Sequence, residues 1–293
     1  METSINKLSK KINDLPTPDF IVQRIINVAS DPESSTKDLN MAVLQSPTLS
    51  AKILKLSNSA YYALPRKITK LSQAINILGF KTVRNLALGV FTANSYFKKE
   101  YEFFNTEKFW KHLMSTAMAS ELLCKYLNYP DKEEAFLSGM LHDMGKIVMA
   151  YVMPDIFEII LKVARHKKIK FHQAEDLLNT YSHQIVGKML FENWGLSELI
   201  INTAAYHDTP SEAKDSDSKM MIGIVSIANL SVNTIMYGYS GNFGIEIPDD
   251  KTWNNIGLTP KLYLNYFKEL EEKINKSNDF MNLKDIIVDM DGE

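Results

Sequence analysis

An imidazole beside a carboxylate, in Leu141-His142-Asp143-Met144-Gly145-Lys146, is a pairing with which a divalent-metal site can begin. Three more histidines lie in stretches that read as helix: His112 in Phe109-Trp110-Lys111-His112, His183 in Tyr181-Ser182-His183, and His207 in Tyr206-His207-Asp208. Neutral imidazole nitrogen and carboxylate oxygen together suit iron, manganese, zinc or nickel. Successive residues on a helix point about 100 degrees apart, so His142 and Asp143 can flank one ion in a groove. Lys146, one turn beyond His142, is placed to hold a phosphate or carboxylate near that ion, with a solvated charge as the plain alternative. A single histidine is more often a surface or hydrogen-bonded core residue than a ligand, so the weight falls on the doublet together with the distant imidazoles.

Helices must bring these residues together, since strand signals are almost absent. Ser46-Pro47 is an N-cap followed by proline at the first helical position, and Leu49, Ile53, Leu56 and Ala60 repeat behind it at helical spacing. Leu71, Ala74, Ile75 and Leu78 continue the pattern until Gly79 stops it, and Val83, Leu86, Ala87 and Val90 mark the next helix. Longer helices are predicted over 107–127, 132–152, 155–166, 172–193, 197–206 and 219–237, with a long loop over 238–258. A charged and aromatic stretch at 96–105 reads as a junction, which divides the chain into residues 1–100 and 101–293, and the acidic end from Asp285 reads as frayed. His166 and His172, beside Lys167, Lys168 and Lys170, read as exposed loop residues, and Trp110 and Trp194 as packing around the histidine-bearing helices.

The composition, 45% hydrophobic and 23% charged over 293 residues, is that of a folded globular chain with a sizeable core. Its single cysteine, Cys124, excludes intramolecular disulfides and reads as a small core residue in a reducing compartment. No segment approaches the roughly 20 apolar residues of a membrane span, and the stretch from Met1 has no signal-peptide pattern, so a cytoplasmic location is expected. The net charge of −2 conceals an asymmetry. Residues 51–100 carry nine Lys/Arg against one acid, whereas 101–293 carry 19 against 28. Lys52, Lys55, Arg66, Lys67, Lys70, Lys81 and Arg84 are dispersed, which favours solvated faces over a nucleic-acid or anionic-membrane surface.

The order of His112, His142-Asp143, His183 and His207 resembles the HD superfamily of metal-dependent phosphohydrolases. Leu15-Pro16-Thr17-Pro18, Leu56-Ser57-Asn58-Ser59-Ala60-Tyr61-Tyr62, Ala74-Ile75-Asn76-Ile77-Leu78-Gly79, Ser138-Gly139-Met140-Leu141-His142-Asp143 and Ser182-His183-Gln184-Ile185-Val186-Gly187 narrow the resemblance to the HDOD family. Those are bacterial signalling modules related to the HD-GYP phosphodiesterases. The resemblance implies an all-α fold, an N-terminal helical bundle packed on an HD-like bundle, with His112, His142, Asp143, His183 and His207 as metal ligands. It also places Asn58, Tyr61 and Tyr62 at an interface to partners or between subdomains, the alternative being helix termination and core packing.

Two departures bear on activity. The closing aspartate of HD-type hydrolases is replaced by Asn229 in Ile227-Ala228-Asn229-Leu230, and His207-Asp208-Thr209-Pro210 stands where the cyclic-dinucleotide enzymes carry Gly-Tyr-Pro. An amide brings no negative charge, and Asp208 is set aside as its substitute because an adjacent loop acid need not point inward. The expectation is a cytoplasmic regulatory module that contacts signalling proteins, non-catalytic or weakly catalytic. A metal-dependent phosphohydrolase with Lys146 and Asp143 at its catalytic centre is the alternative.

Overall fold

A computed structural model describes residues 2–97, 104–277, 282–283 and 286, and no β-strand occurs among them. Residues 98–103 of the expected junction, and the acidic end apart from Ile286, lie outside the described residues. The chain forms two compact units, Met1–Pro16 with Lys99–Glu271 and Thr17–Lys98 with Glu272–Glu293.

The first unit opens with α1 (Glu2–Asn13). The second unit then carries α2 (Phe20–Ser30), α3 (Thr36–Leu44), α4 (Pro47–Ser57), α5 (Leu71–Leu78) and α6 (Phe80–Tyr96). Its helix starts are fixed by side chains that accept otherwise unpaired backbone N–H groups. Asp19 accepts from Ile21 and Val22, Ser35 and Asp38 form a reciprocal capping box, and Ser46 accepts from the Leu49 N–H with Pro47 behind it. Gly79, at φ +82°, separates α5 from α6 in a conformation that favours glycine. Asn58 caps α4. Its amide donates to the carbonyls of Leu54 (2.8 Å) and Ile68 (2.9 Å) and accepts from the Ile68 N–H (2.7 Å), which closes the intervening loop. Within that loop the Tyr61 and Tyr62 rings meet edge to face, and the Lys273 ammonium stands 4.5 Å from the Tyr61 ring centre.

The first unit resumes with α7 (Thr106–Leu127), α8 (Lys132–Leu141), α9 (Met144–Val152), α10 (Pro154–Lys167), α11 (Phe171–Leu177), α12 (His183–Asn193) and α13 (Glu198–Tyr206). After a 3₁₀ turn at Pro210–Glu212 come α14 (Lys219–Ile235), α15 (Asp250–Ile256) and α16 (Pro260–Lys276). Helix α7 packs on α8 and α14, while α9 packs on α12, and α1 lies against both of the latter. Glycines permit two of these approaches. A Cβ on Gly139 would fall 2.8 Å from the Thr116 carbonyl oxygen of α7, and one on Gly145 would fall 1.8 Å from the His183 carbonyl oxygen at the start of α12.

Three expectations need correction. The helix predicted over 132–152 is broken at His142-Asp143, so the doublet occupies a turn and not a continuous helix face. The helix predicted over 172–193 is interrupted after α11, where Asn179 takes a positive φ of 47°. The predicted loop over 238–258 contains α15, whose N-terminus is capped when Asp249 accepts from the Thr252 N–H at 2.9 Å.

Candidate metal centre

Each histidine reaches the centre from a different element. His112 projects from the middle of α7, His142 closes α8, His183 is the first residue of α12, and His207 follows the last residue of α13. Asp143, fully buried between α8 and α9, is the shared target. Its Oδ2 lies 3.4 Å from His142 Nε2 and 3.6 Å from His112 Nε2. Its Oδ1 lies 3.1 Å from His207 Nε2 and 3.4 Å from His183 Nε2. Two groups therefore share one carboxylate: His112, His142 and Asp143 on one side, and His183, His207 and Asp143 on the other.

The outward ring nitrogens fix what the inward ones present. His142 Nδ1 donates to the Gly139 carbonyl at 2.7 Å, and His207 Nδ1 donates to the Ala204 carbonyl at 3.0 Å. A carbonyl only accepts, so these Nδ1 atoms carry a hydrogen and Nε2 is the ring nitrogen that can turn a lone pair to an ion. His183 Nδ1 donates to Glu175 Oε2 at 2.9 Å, while Glu175 Oε1 accepts the His183 backbone N–H at 2.6 Å. A carboxylate behind an imidazole orients metal-ligating histidines in this manner. The result sets the His207 Nε2 lone pair against Asp143 Oδ1 at 3.1 Å, with His183 Nε2 3.4 Å from that nitrogen. His112 Nε2 and His142 Nε2 are buried with no hydrogen-bond partner. A cation satisfies such an arrangement, and nitrogen with carboxylate oxygen is the donor set of a transition-metal or zinc ion.

Charge within the unit supports the same state. Burial pushes His112 and His207 down to about 4, which keeps both neutral at physiological pH. Burial is the largest influence on Asp143 and works against its charge, yet the surrounding groups, the Lys146 ammonium foremost, hold the carboxyl well below the usual range. Lys146 is not solvated. It is 1% exposed, its Nζ lies 2.7 Å from Asp143 Oδ2, and it stands 5.4 Å from the Phe171 ring centre.

Several residues depart from their sequence reading. Asp208 points inward after all. Its Oδ2 lies 3.4 Å from His183 Nε2 and 3.5 Å from His207 Nε2, and its Oδ1 accepts from Lys170 Nζ at 2.6 Å. His172, read as exposed, is buried, with Nδ1 3.3 Å from Asp208 Oδ2 and Nε2 3.4 Å from Glu246 Oε2. His166 is exposed in the last turn of α10. Asn229 is buried on α14, and its side-chain oxygen accepts from Asn233 Nδ2 at 2.7 Å. Glu175 escaped the sequence reading because a continuous helix would hold positions eight apart about 12 Å from one another. The break after α11 folds them together.

The loop after α14 closes on this centre. Gly238, at φ +82°, passes so near α7 that a Cβ there would lie 2.4 Å from the His112 backbone nitrogen. The Tyr239 N–H donates to the Lys108 carbonyl, and the Phe243 N–H to the Ile169 carbonyl. Beside it a pocket of about 250 Å³ reaches His207 and Asp208, and its wall includes Lys170, Asn229, Glu212, Glu246 and Asp249.

Buried imidazoles converging on a common carboxylate inside an all-helical frame define the class of helical histidine–aspartate proteins. The HDOD domain model matches residues 15–210, two thirds of the chain, and the chain belongs to that family. An uncharacterized protein of Treponema pallidum (strain Nichols) is 22% identical over 228 residues, which is 77% of this chain and 43% of that protein's length. The chain thus spans less than half of that curated relative. Among solved structures, an HDOD domain protein with unknown function from Geobacter sulfurreducens superposes with a TM-score of 0.79 at 23% identity, covering 96% of this chain and 98% of that one. A Marinobacter aquaeolei VT8 protein named for an inferred role in signal transduction gives 0.75 at 22% identity, over 92% of this chain and 59% of its own. A Shewanella amazonensis SB2B protein named for an inferred phosphohydrolase activity gives 0.71 at 20%, over 96% and 98%. At these identities the likeness establishes the fold.

Proposed function

We propose that this HDOD chain is a cytoplasmic bacterial regulatory module that acts through contacts with signalling proteins, with a divalent iron, manganese, zinc or nickel ion at the histidine centre and little or no hydrolysis. Asn229 carries this reading. It stands where the resemblance expects a carboxylate, it is neutral, and its oxygen is already engaged by Asn233. The adjoining pocket adds support, because Asp208, Glu212, Glu246 and Asp249 line it against a single lysine, Lys170, itself bound to Asp208. An anionic phosphodiester would approach against that field. His112, His142, Asp143, His183 and His207 are the ligand candidates in this reading, as two groups that share Asp143, and the Tyr61-Tyr62 pair beside Asn58 is its contact surface. The test is turnover of cyclic dinucleotides and nucleotides by metal-loaded protein against His142→Ala. The expected result is no difference between them, and metal-dependent turnover abolished in the variant would overturn the reading.

One observation favours a second reading, a metal-dependent phosphohydrolase. Lys146 is a buried ammonium 2.7 Å from Asp143, suited to steadying a phosphoryl oxygen beside the centre. The ion would supply Lewis-acid polarisation and an activated water when bound.

A further inference from the structure

The two groups around Asp143 are unequal. On the His112–His142 side, the shared oxygen Oδ2 also receives the Lys146 ammonium at 2.7 Å, and the amide of Asn229 is engaged elsewhere. That leaves two imidazoles and one contested oxygen. On the other side stand His183 Nε2, His207 Nε2, Asp143 Oδ1 and Asp208 Oδ2. The imidazole nitrogens are 3.4 Å apart, they lie 3.4 and 3.1 Å from Asp143 Oδ1, and they lie 3.4 and 3.5 Å from Asp208 Oδ2. Donors bound tetrahedrally at about 2.0–2.1 Å are separated by about 3.4 Å, so five of the six edges of such a cage are already near their bound lengths.

We infer that Asp208 is a metal ligand and that the tight ion is held by His183, His207, Asp143 and Asp208, not by the His112–His142 side. The inference rests on the metal reading above and assigns which atoms take the ion. Lys170 and His172 are positioning residues for it. Lys170 holds Asp208 Oδ1 at 2.6 Å, which leaves Oδ2 turned toward the imidazoles, and His172 Nδ1 stands 3.3 Å from that same Oδ2. Two carboxylates also neutralise the divalent charge, whereas the opposite side shares one carboxylate with an ammonium. Asp208 thus supplies, from the end of α13, the second negative charge that α14 does not provide through Asn229.

The experiment is equilibrium dialysis with Co²⁺ and with Zn²⁺, followed by metal analysis, on wild type, D208N, D208N/K170M and H112N. The double variant removes the lysine charge that D208N would strand, and circular dichroism checks that each protein is folded. Outer-shell changes weaken metal sites by about 10- to 100-fold, so loss of a ligand should weaken the ion by at least about 100-fold in both Asp208 variants. H112N should stay within about 10-fold of wild type. The visible bands of bound Co²⁺ report its coordination and should change in D208N but persist in H112N. Wild-type affinity in D208N/K170M, or loss of the ion in H112N, would overturn the assignment while leaving a metal site in place. An absence of bound ion in wild type would overturn the metal reading and this assignment together.

Discussion

Glu175 shows how much depends on a residue with no motif around it. It holds His183 through both oxygens, and although burial is the largest influence and opposes charge on that ring, Glu175 together with Asp143 and Asp208 holds it well above the usual range. Glu175→Gln keeps the shape and one accepting oxygen but removes the charge. It should lower metal affinity about 10- to 100-fold with little change in helicity, measured by the same dialysis. At this scale the sequence was partly readable. The four histidines and Asp143 could be picked out by motif order, and the structure brings them together. Glu175 and Asp208 could not, because each depends on where the backbone turns. Asp208 follows a ligand candidate directly, yet only the turn out of α13 decides that its carboxylate faces inward.

At the level of elements, the helix pattern was legible wherever caps and spacing agreed, as at Ser46-Pro47 and Gly79. What it concealed were the breaks. Leu141 to Lys146 lacks proline and reads as uninterrupted helix, yet His142 and Asp143 form a turn so that both can face the centre. Gly145 is the trace of this in the sequence. It lets α9 touch α12 at the point where His183 begins, and the approach leaves no room for a methyl group. Gly145→Ala should therefore separate the two helices rather than gain the usual helix propensity of alanine. A cost of about 3 kcal/mol is expected, at the upper end of overpacking penalties, seen as a lower midpoint in denaturant unfolding together with weaker metal binding. Asn58 makes the opposite point, since a residue singled out by motif also serves as the clasp of its own loop.

Across the whole chain, no described helix is long and apolar enough to cross a membrane. Composition indicated a folded chain and apolar spacing a helical one, and neither carried information about which distant segments meet. Helix α1 is the example. Leu8 and Ile12 are buried, and the Lys11 ammonium donates to the Val152 carbonyl, a partner 141 positions further on. The family match begins at residue 15, beyond this helix. A chain shortened to begin at Thr17 should lose about 3–6 kcal/mol, the burial of two aliphatic side chains. Hydrogen exchange should then quicken in α9 and α12 well before it does in α2–α6.

That long-range docking has a further consequence in time. At roughly 5–20 residues per second, about 10–40 s of synthesis separate α1 from the end of α12. Until α9 and then α12 are made, α1 lacks the helices it packs on, while all of α2–α6 emerges from the ribosome between it and them. The amphipathic face of α1 thus waits while α2–α6 are made, and the histidine centre cannot be assembled until His207 and Asp208 have followed α13.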